Sequence, residues 1–157
     1  MNLIVRLLMT CLIFGGLAVS GWCEEAPKTA SSAKSVNYQA VVKESLDQLV
    51  AAYEAKNGRE FMALISESFT GDSSQFDSSI RRQFSRFTNM SIRYTFNNVT
   101  FDGKGKIFAA ITYTKGYTDV KTGKQEKRQG QSSMVFTLEN GSCLLYTMNK
   151  PALFGLK

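Results

Sequence analysis

The stretch YEAKNGREFMALISESFTGD, Tyr53–Asp72, carries a helical pattern that stops and starts again within a few residues. Asn57 and Gly58 interrupt the pattern, and glycine is the residue that most often takes the left-handed conformation at the end of a helix. Helical apolar spacing resumes directly after them, at Phe61, Leu64 and Ile65. The stretch therefore predicts two helices joined by a sharp hinge, with Gly58 as the left-handed residue.

The segments on either side complete a set of three helices. The first begins after Asn37, a residue type favoured at helix N-caps, and buries a stripe at three- and four-residue spacing. The second is short, Arg59–Glu67. The third runs from about Phe76 to Thr88, with Asp72 or Ser73 as its cap. The first helix should cross a sheet, and the hinge should let the second close one end of it.

From Ser91 the apolar residues recur at every second position, which is the period of a β-strand. After Asn98 the phase slips by one residue, which predicts a β-bulge and a bent strand. Hairpin turns are predicted at Asp102–Gly105 and Glu139–Ser142, and a looser connection at Thr118–Lys127. The sequence predicts an α+β fold, with three N-terminal helices packed on one face of a bent, mostly antiparallel four-stranded sheet.

Residues 1–23 have the layout of a secretory signal peptide. Arg6 supplies one positive charge, and an uncharged apolar run extends from Leu7 to Val19. This run is shorter than the ~20 residues that span a bilayer. We expect cleavage after Ser20 or Cys23 and an exported protein, periplasmic or extracellular.

Two alternatives for this end of the chain stay open. The apolar run could remain as an uncleaved membrane anchor, or Cys23 could be lipidated, although Trp22 stands where such sites have a small residue. Residues 24–37 are polar and rich in alanine, serine and lysine, which predicts a flexible leader. Residues 38–157 form the predicted folded domain.

The helix-break-helix, the third helix and the long bent strands resemble the nuclear transport factor 2-like superfamily, a cystatin-like, cone-shaped α+β fold. The resemblance covers about residues 37–155, and the segment MNKPALFG, Met148–Gly155, is similar to the closing segment of secreted bacterial members. It implies a cavity between the concave sheet and the helices that either holds an apolar ligand or is filled as core. It also implies a homodimer formed through the sheet.

Members of this superfamily include enzymes such as ketosteroid isomerase, scytalone dehydratase and limonene epoxide hydrolase, so the fold does not fix the function. The chain has no histidine, which removes the commonest general base and the commonest metal ligand. We predict no metal and no cofactor. An isomerase-like route would need a tyrosine and a carboxylate, and a hydrolase-like route would need Arg93, which the strand period places outward.

Several side chains are candidates for ligand contact because binding cavities are mostly apolar with a few hydroxyl groups. The predicted ligand-binding residues are Tyr53, Tyr94, Tyr113, Phe136 and Tyr146. A second group of basic residues surrounds the second hairpin and is predicted to keep an exposed loop soluble: Lys115, Lys121, Lys124, Lys127 and Arg128. Cys143, in a strand-like run, is predicted to be a buried and unreactive thiol.

These features favour an exported, non-catalytic binding or accessory interaction domain of the bacterial cell envelope. Its partner would be a small apolar or peptide ligand in the cavity, or an envelope protein, and not nucleic acid. One alternative is a histidine-free enzyme of isomerase or hydrolase type that uses tyrosine and a carboxylate. Another is a membrane-anchored subunit of an envelope complex.

Overall fold

The computed structural model describes residues 37–150 and 152–155. The predicted signal peptide, its cleavage sites and all of the leader except Asn37 lie outside these residues. Three helices precede four strands, as the sequence predicted. Their bounds are α1 Tyr38–Glu54, α2 Gly58–Ala63, α3 Ser73–Arg86, β1 Phe87–Phe101, β2 Lys106–Asp119, β3 Gln125–Glu139 and β4 Ser142–Met148.

The hinge between α1 and α2 differs from the prediction in which residue makes the turn. Lys56, and not Gly58, takes the left-handed conformation, with φ at 56°. Asn57 caps α2, because its Oδ1 accepts from the Glu60 amide at 3.2 Å and its Nδ2 donates to Glu60 Oε2 at 2.7 Å. Gly58 is therefore the first residue of α2. Asn57 and Gly58, which we predicted to end α1, are instead the N-cap and the first residue of α2.

The second helix is also shorter than the predicted Arg59–Glu67. It stops at Ala63 because the chain then runs beside β4. The Leu145 amide donates to the Leu64 carbonyl at 3.0 Å, and the Ser66 amide donates to the Leu145 carbonyl at 2.9 Å. Pairing with β4 thus satisfies the Leu64 carbonyl and the Ser66 amide, while the Leu64 and Ile65 amides make turn bonds to Phe61 and Met62 at 3.2 Å.

The four strands form one antiparallel sheet in the order β1-β2-β3-β4. The predicted bulge is confirmed, because the register of β1 on β2 shifts between Phe96 and Asn98. A second shift lies between Thr88 and Ser91. The predicted loose connection Thr118–Lys127 is wrong: β2 extends to Asp119 and β3 begins at Gln125. The third helix likewise ends earlier than predicted, because Phe87 is already extended.

The hydrophobic core lies between the helices and one face of the sheet. Helix α1 supplies Leu46, Leu49 and Tyr53, which are fully buried. Ile107, Ala109 and Ile111 of β2 alternate with residues that point away from the helices. In the described part of the chain, no helix is long and apolar enough to cross a membrane.

Candidate functional site

The space between the helices and the sheet is occupied by a short piece of the chain itself, residues 152–155, named here the closing segment. Leu153 and Phe154 are buried, with exposed fractions of 0% and 1%. The Phe154 ring centre lies 5.3 Å from that of Tyr53 and 5.1 Å from that of Phe61. An apolar side chain of the protein itself therefore fills this part of the space between helices and sheet.

Polar groups hold the main chain of the closing segment. Gln83 of α3 is buried, and its Nε2 donates to the Gly155 carbonyl at 2.5 Å. Its Oε1 accepts a hydrogen bond from the Tyr53 hydroxyl group. Burial is the main reason that the pKa of Tyr53 lies above its ordinary value, so the hydroxyl group keeps its proton and acts as a donor. Tyr53 and Gln83 thus form a fixed polar pair behind the segment.

Lys115 of β2 completes the polar contacts. Its side chain enters the core, with only 7% of the residue exposed. Nζ donates to the Leu153 carbonyl at 3.2 Å and to Gln83 Oε1 at 3.4 Å, and it lies 4.6 Å from the centre of the Tyr53 ring. Burial, with a smaller contribution from the charge of Arg128, lowers the pKa of Lys115 to about 8.

The position of Lys115 corrects the prediction that it belongs to the exposed basic group of the second hairpin. The other four members of that group, Lys121, Lys124, Lys127 and Arg128, are exposed. The strand period could have found Lys115, because it shares the phase of Ile111, Tyr113 and Tyr117. Gln83 was missed in the same way, although it lies three residues after buried Ile80 on α3.

Three of the five predicted ligand-binding residues, Tyr53, Tyr113 and Phe136, belong to the same hydrophobic core. Tyr53 contacts the closing segment. Tyr113 and Phe136 are buried in the core, and a Cβ atom at Gly130 would lie 2.9 Å from the Tyr113 hydroxyl oxygen. The other two predicted residues, Tyr94 and Tyr146, make different contacts.

Tyr94 lies in an open groove of about 500 Å³ between α1 and β1. Its hydroxyl group donates to Asp47 Oδ1 at 2.5 Å, and Lys43 Nζ lies 2.5 Å from Asp47 Oδ2. Partial burial raises the pKa of Asp47, but the hydrogen bonds from Lys43 and Tyr94 outweigh it, so the pKa lies below its ordinary value. Tyr146 lies on β4, where the Lys106 ammonium nitrogen is 3.0 Å from its ring centre.

The Tyr94–Asp47 pair is the arrangement of tyrosine and carboxylate that the enzyme alternative needs. A carboxylate with a lowered pKa is a weak base, however, and this one is about half exposed, with 49% of its side chain accessible. The pair therefore suits charge pairing better than proton transfer. Arg93, the other enzyme candidate, is exposed.

The described residues offer neither a metal centre nor a reactive thiol. No group of three or more histidine, cysteine or acidic residues within residues 37–150 and 152–155 could hold a metal ion. Cys143 is half-buried rather than fully buried, and burial raises the pKa of its thiol to about 11. Such a thiol is a poor nucleophile at neutral pH.

Comparison with solved structures identifies the architecture. A scytalone dehydratase-like protein from Novosphingobium aromaticivorans superposes with a TM-score of 0.66 at 9% identity, covering 71% of this chain and 80% of that one. A ketosteroid isomerase-like protein from Erwinia carotovora atroseptica gives 0.61 at 12% identity, over 72% and 94% of the two chains. The chain has the nuclear transport factor 2-like fold.

A nuclear transport factor 2-like protein from Salmonella enterica gives the same TM-score of 0.61 at 9% identity, over 76% of this chain and 94% of that one. No protein-family model matches the sequence, and no curated protein is similar enough to count as a relative. Since identities this low establish architecture alone, the activity of this chain has to be argued from its own side chains.

Proposed function

We propose that the protein is a non-catalytic binding domain that acts outside the cytoplasm. Its ligand site would be the space between helices and sheet, and an apolar or peptide ligand would enter in exchange for the closing segment. The observation that supports this is the set of contacts around Phe154. A ring and two carbonyl groups, those of Leu153 and Gly155, meet an apolar and polar lining as a bound peptide would.

The chemistry of the lining favours binding over catalysis. Lys115 and Gln83 donate hydrogen bonds to the main chain of the closing segment, the Tyr53 ring contacts Phe154, and the Ser79 hydroxyl group lies close to Gly155. Buried Asp119 lies at the end of β2 and is bonded to Arg86 at 3.0 Å and to turn amides, where it holds the chain in place. In the described residues, the contacts of the segment thus include no carboxylate base.

The test is native mass spectrometry of the mature protein purified from its own cell fraction, followed by solvent extraction of any bound molecule. We expect a bound molecule that is lost when the protein unfolds. The mass of the protein itself should match a chain that begins after Ser20 or Cys23. Protein expressed in an unrelated host and exposed to the extract should gain the same adduct. If neither preparation carries an adduct and the extract adds none, the binding function is wrong.

The same mass measurement separates the remaining proposals about location. An unprocessed mass from a membrane fraction would support the anchored-subunit alternative. A mass increase on Cys23 would indicate lipidation. A co-purifying protein in place of a small molecule would indicate an envelope protein partner.

A further inference from the structure

Lys115 has a buried positive charge whose hydrogen-bond and ring partners are neutral. They are the Leu153 carbonyl, Gln83 Oε1 and the Tyr53 ring. No ion pair joins Lys115 to a carboxylate within residues 37–150 and 152–155. An ammonium group removed from water is stabilised far more by an opposite charge than by neutral dipoles, so this site is electrostatically suited to an anion.

A second cation, Arg128, lies near Lys115 but does not share its buried position. Arg128 is its register partner on β3, so a second cation lies next to it on the neighbouring strand. Arg128 is exposed and forms an ion pair with Glu126 at 3.1 Å, so its charge lies at the protein surface rather than in the core. Of these two cations, Lys115 is therefore the one whose charge is buried beside the closing segment.

Gln83 supplies the second donor that a carboxylate needs. Its Oε1 is already used by Tyr53 and Lys115, so its Nε2 is oriented as a donor, and at present it bonds to the Gly155 carbonyl. When the closing segment leaves, the Lys115 ammonium and the Gln83 amide both lose a carbonyl oxygen. One ammonium and one amide match the single charge and two oxygens of a carboxylate, whereas a phosphate would call for more donors.

We infer that the site takes an apolar molecule bearing one carboxylate, which accepts hydrogen bonds from Lys115 and Gln83 while its apolar body replaces the Phe154 ring. This inference rests on the proposed function and adds the chemical class of the ligand to it. A small organic acid and the C-terminus of a peptide present the same chemistry. The experiment below therefore contains an arm for each source.

The experiment compares 3-phenylpropionate with 3-phenylpropionamide, two probes of the same shape that differ in charge. Each is titrated into the full-length protein and into Phe154→Ala, and NMR shifts of the Lys115 and Gly155 amides report binding. We expect the acid to bind about tenfold more tightly or better, because a charged acceptor strengthens the hydrogen bonds from Lys115 and Gln83. The comparison in the unaltered protein needs no variant.

Two lysine variants locate the preference. In Lys115→Met the acid should lose its advantage over the amide. In Lys121→Met, which removes an exposed lysine from the β2–β3 turn, the advantage should remain. For the peptide source, a hexapeptide ending in a free phenylalanine carboxylate is compared with its C-terminal amide. Tighter binding of the free peptide than of 3-phenylpropionate assigns the site to peptide C-termini, and the reverse order assigns it to small acids.

The outcomes that overturn the inference are distinct from those that overturn the proposed function. If acid and amide bind equally well, the carboxylate class is wrong and the binding function stands. If the preference persists in Lys115→Met, the anion binds elsewhere and the inference fails. If neither the probes nor the peptides bind to either protein, the inference fails, whereas the proposed function fails only if native mass spectrometry also shows no adduct.

Discussion

The Lys115 ammonium group donates to the Leu153 carbonyl at 3.2 Å, and this bond ties the sheet to the segment that closes the cavity. Thirty-eight residues separate the two along the chain. The bond places a buried charge, an apolar ring and a short stretch of main chain at one site.

The buried charge should make stability depend on pH. The pKa of Lys115 is about 8 in the folded state and 10.5 when unperturbed. Below pH 8 both states bind the proton, so the destabilising effect of burial is fully present. Between pH 8 and 10.5 the unfolded state binds more protons, so stability rises with pH, by roughly 3 kcal/mol in all.

Urea unfolding at pH 7, 8, 9 and 10 measures this effect as the difference between the wild type and Lys115→Met. Tyrosine ionisation affects both proteins equally and drops out of the difference. We expect the free energy of unfolding of the wild type to gain on that of Lys115→Met above pH 8. Parallel curves over the whole range would contradict the burial of a charged lysine.

The Phe154 ring should contribute strongly to stability. Phe154→Ala removes a ring that is 1% exposed and leaves a cavity, which destabilises a protein by roughly 3–5 kcal/mol. Phe108→Ala is the matched control, because Phe108 is 45% exposed on the other face of the sheet. Thermal and urea unfolding should show a loss several times larger for Phe154→Ala. Equal losses would mean that Phe154 does not lie in the core.

The hinge should tolerate a side chain at Gly58. A Cβ atom there would lie 3.7 Å from Phe84 Cε2, an ordinary contact, and the residue is helical. Gly58→Ala should therefore leave the free energy of unfolding unchanged or raise it by about 0.5 kcal/mol. Gly141→Ala, at a turn position with φ at 80°, should lower it by about 1 kcal/mol. A large loss for Gly58→Ala would restore Gly58 as the left-handed residue.

A homodimer through the outer face of the sheet stays a prediction, and Phe108 offers the test. Phe108→Lys would place a charge in that interface and should shift the protein toward monomer in sedimentation velocity. Val120→Lys is the control, because Val120 is 55% exposed but lies in the turn after β2. A wild type that is monomeric at every concentration, or a Phe108→Lys variant that still dimerises, would rule out this interface.

Local sequence signals predicted much of the fold. Asn37 caps α1 as expected, and its Oδ1 accepts from the Ala40 amide at 3.1 Å. The bulge at Asn98 followed from one phase slip. At the hinge two signals overlapped on Asn57 and Gly58, a helix end and a helix start. The start prevailed because Asn57 and Glu60 satisfy each other, and that three-residue spacing was visible in the sequence.

The site was less predictable because its contacts join distant parts of the chain. Lys115 has the phase of a buried residue, but its charge argued for the surface, and its contacts with Gln83, Tyr53 and the closing segment offset that preference. Leu153 and Phe154 belong to a stretch too short to show a period. The local sequence of this stretch does not show that helices and strands from other parts of the chain leave a space that its side chains can fill.

The most direct test of the central claim is ¹⁹F NMR of the protein with 4-fluorophenylalanine at position 154. Without ligand, the resonance should be that of a buried ring and should be insensitive to a soluble paramagnetic agent. On saturation with 3-phenylpropionate, it should move to the position of a solvent-exposed ring and broaden with the agent, because the ligand has replaced the closing segment. A resonance that stays buried while the ligand is bound would contradict the claim.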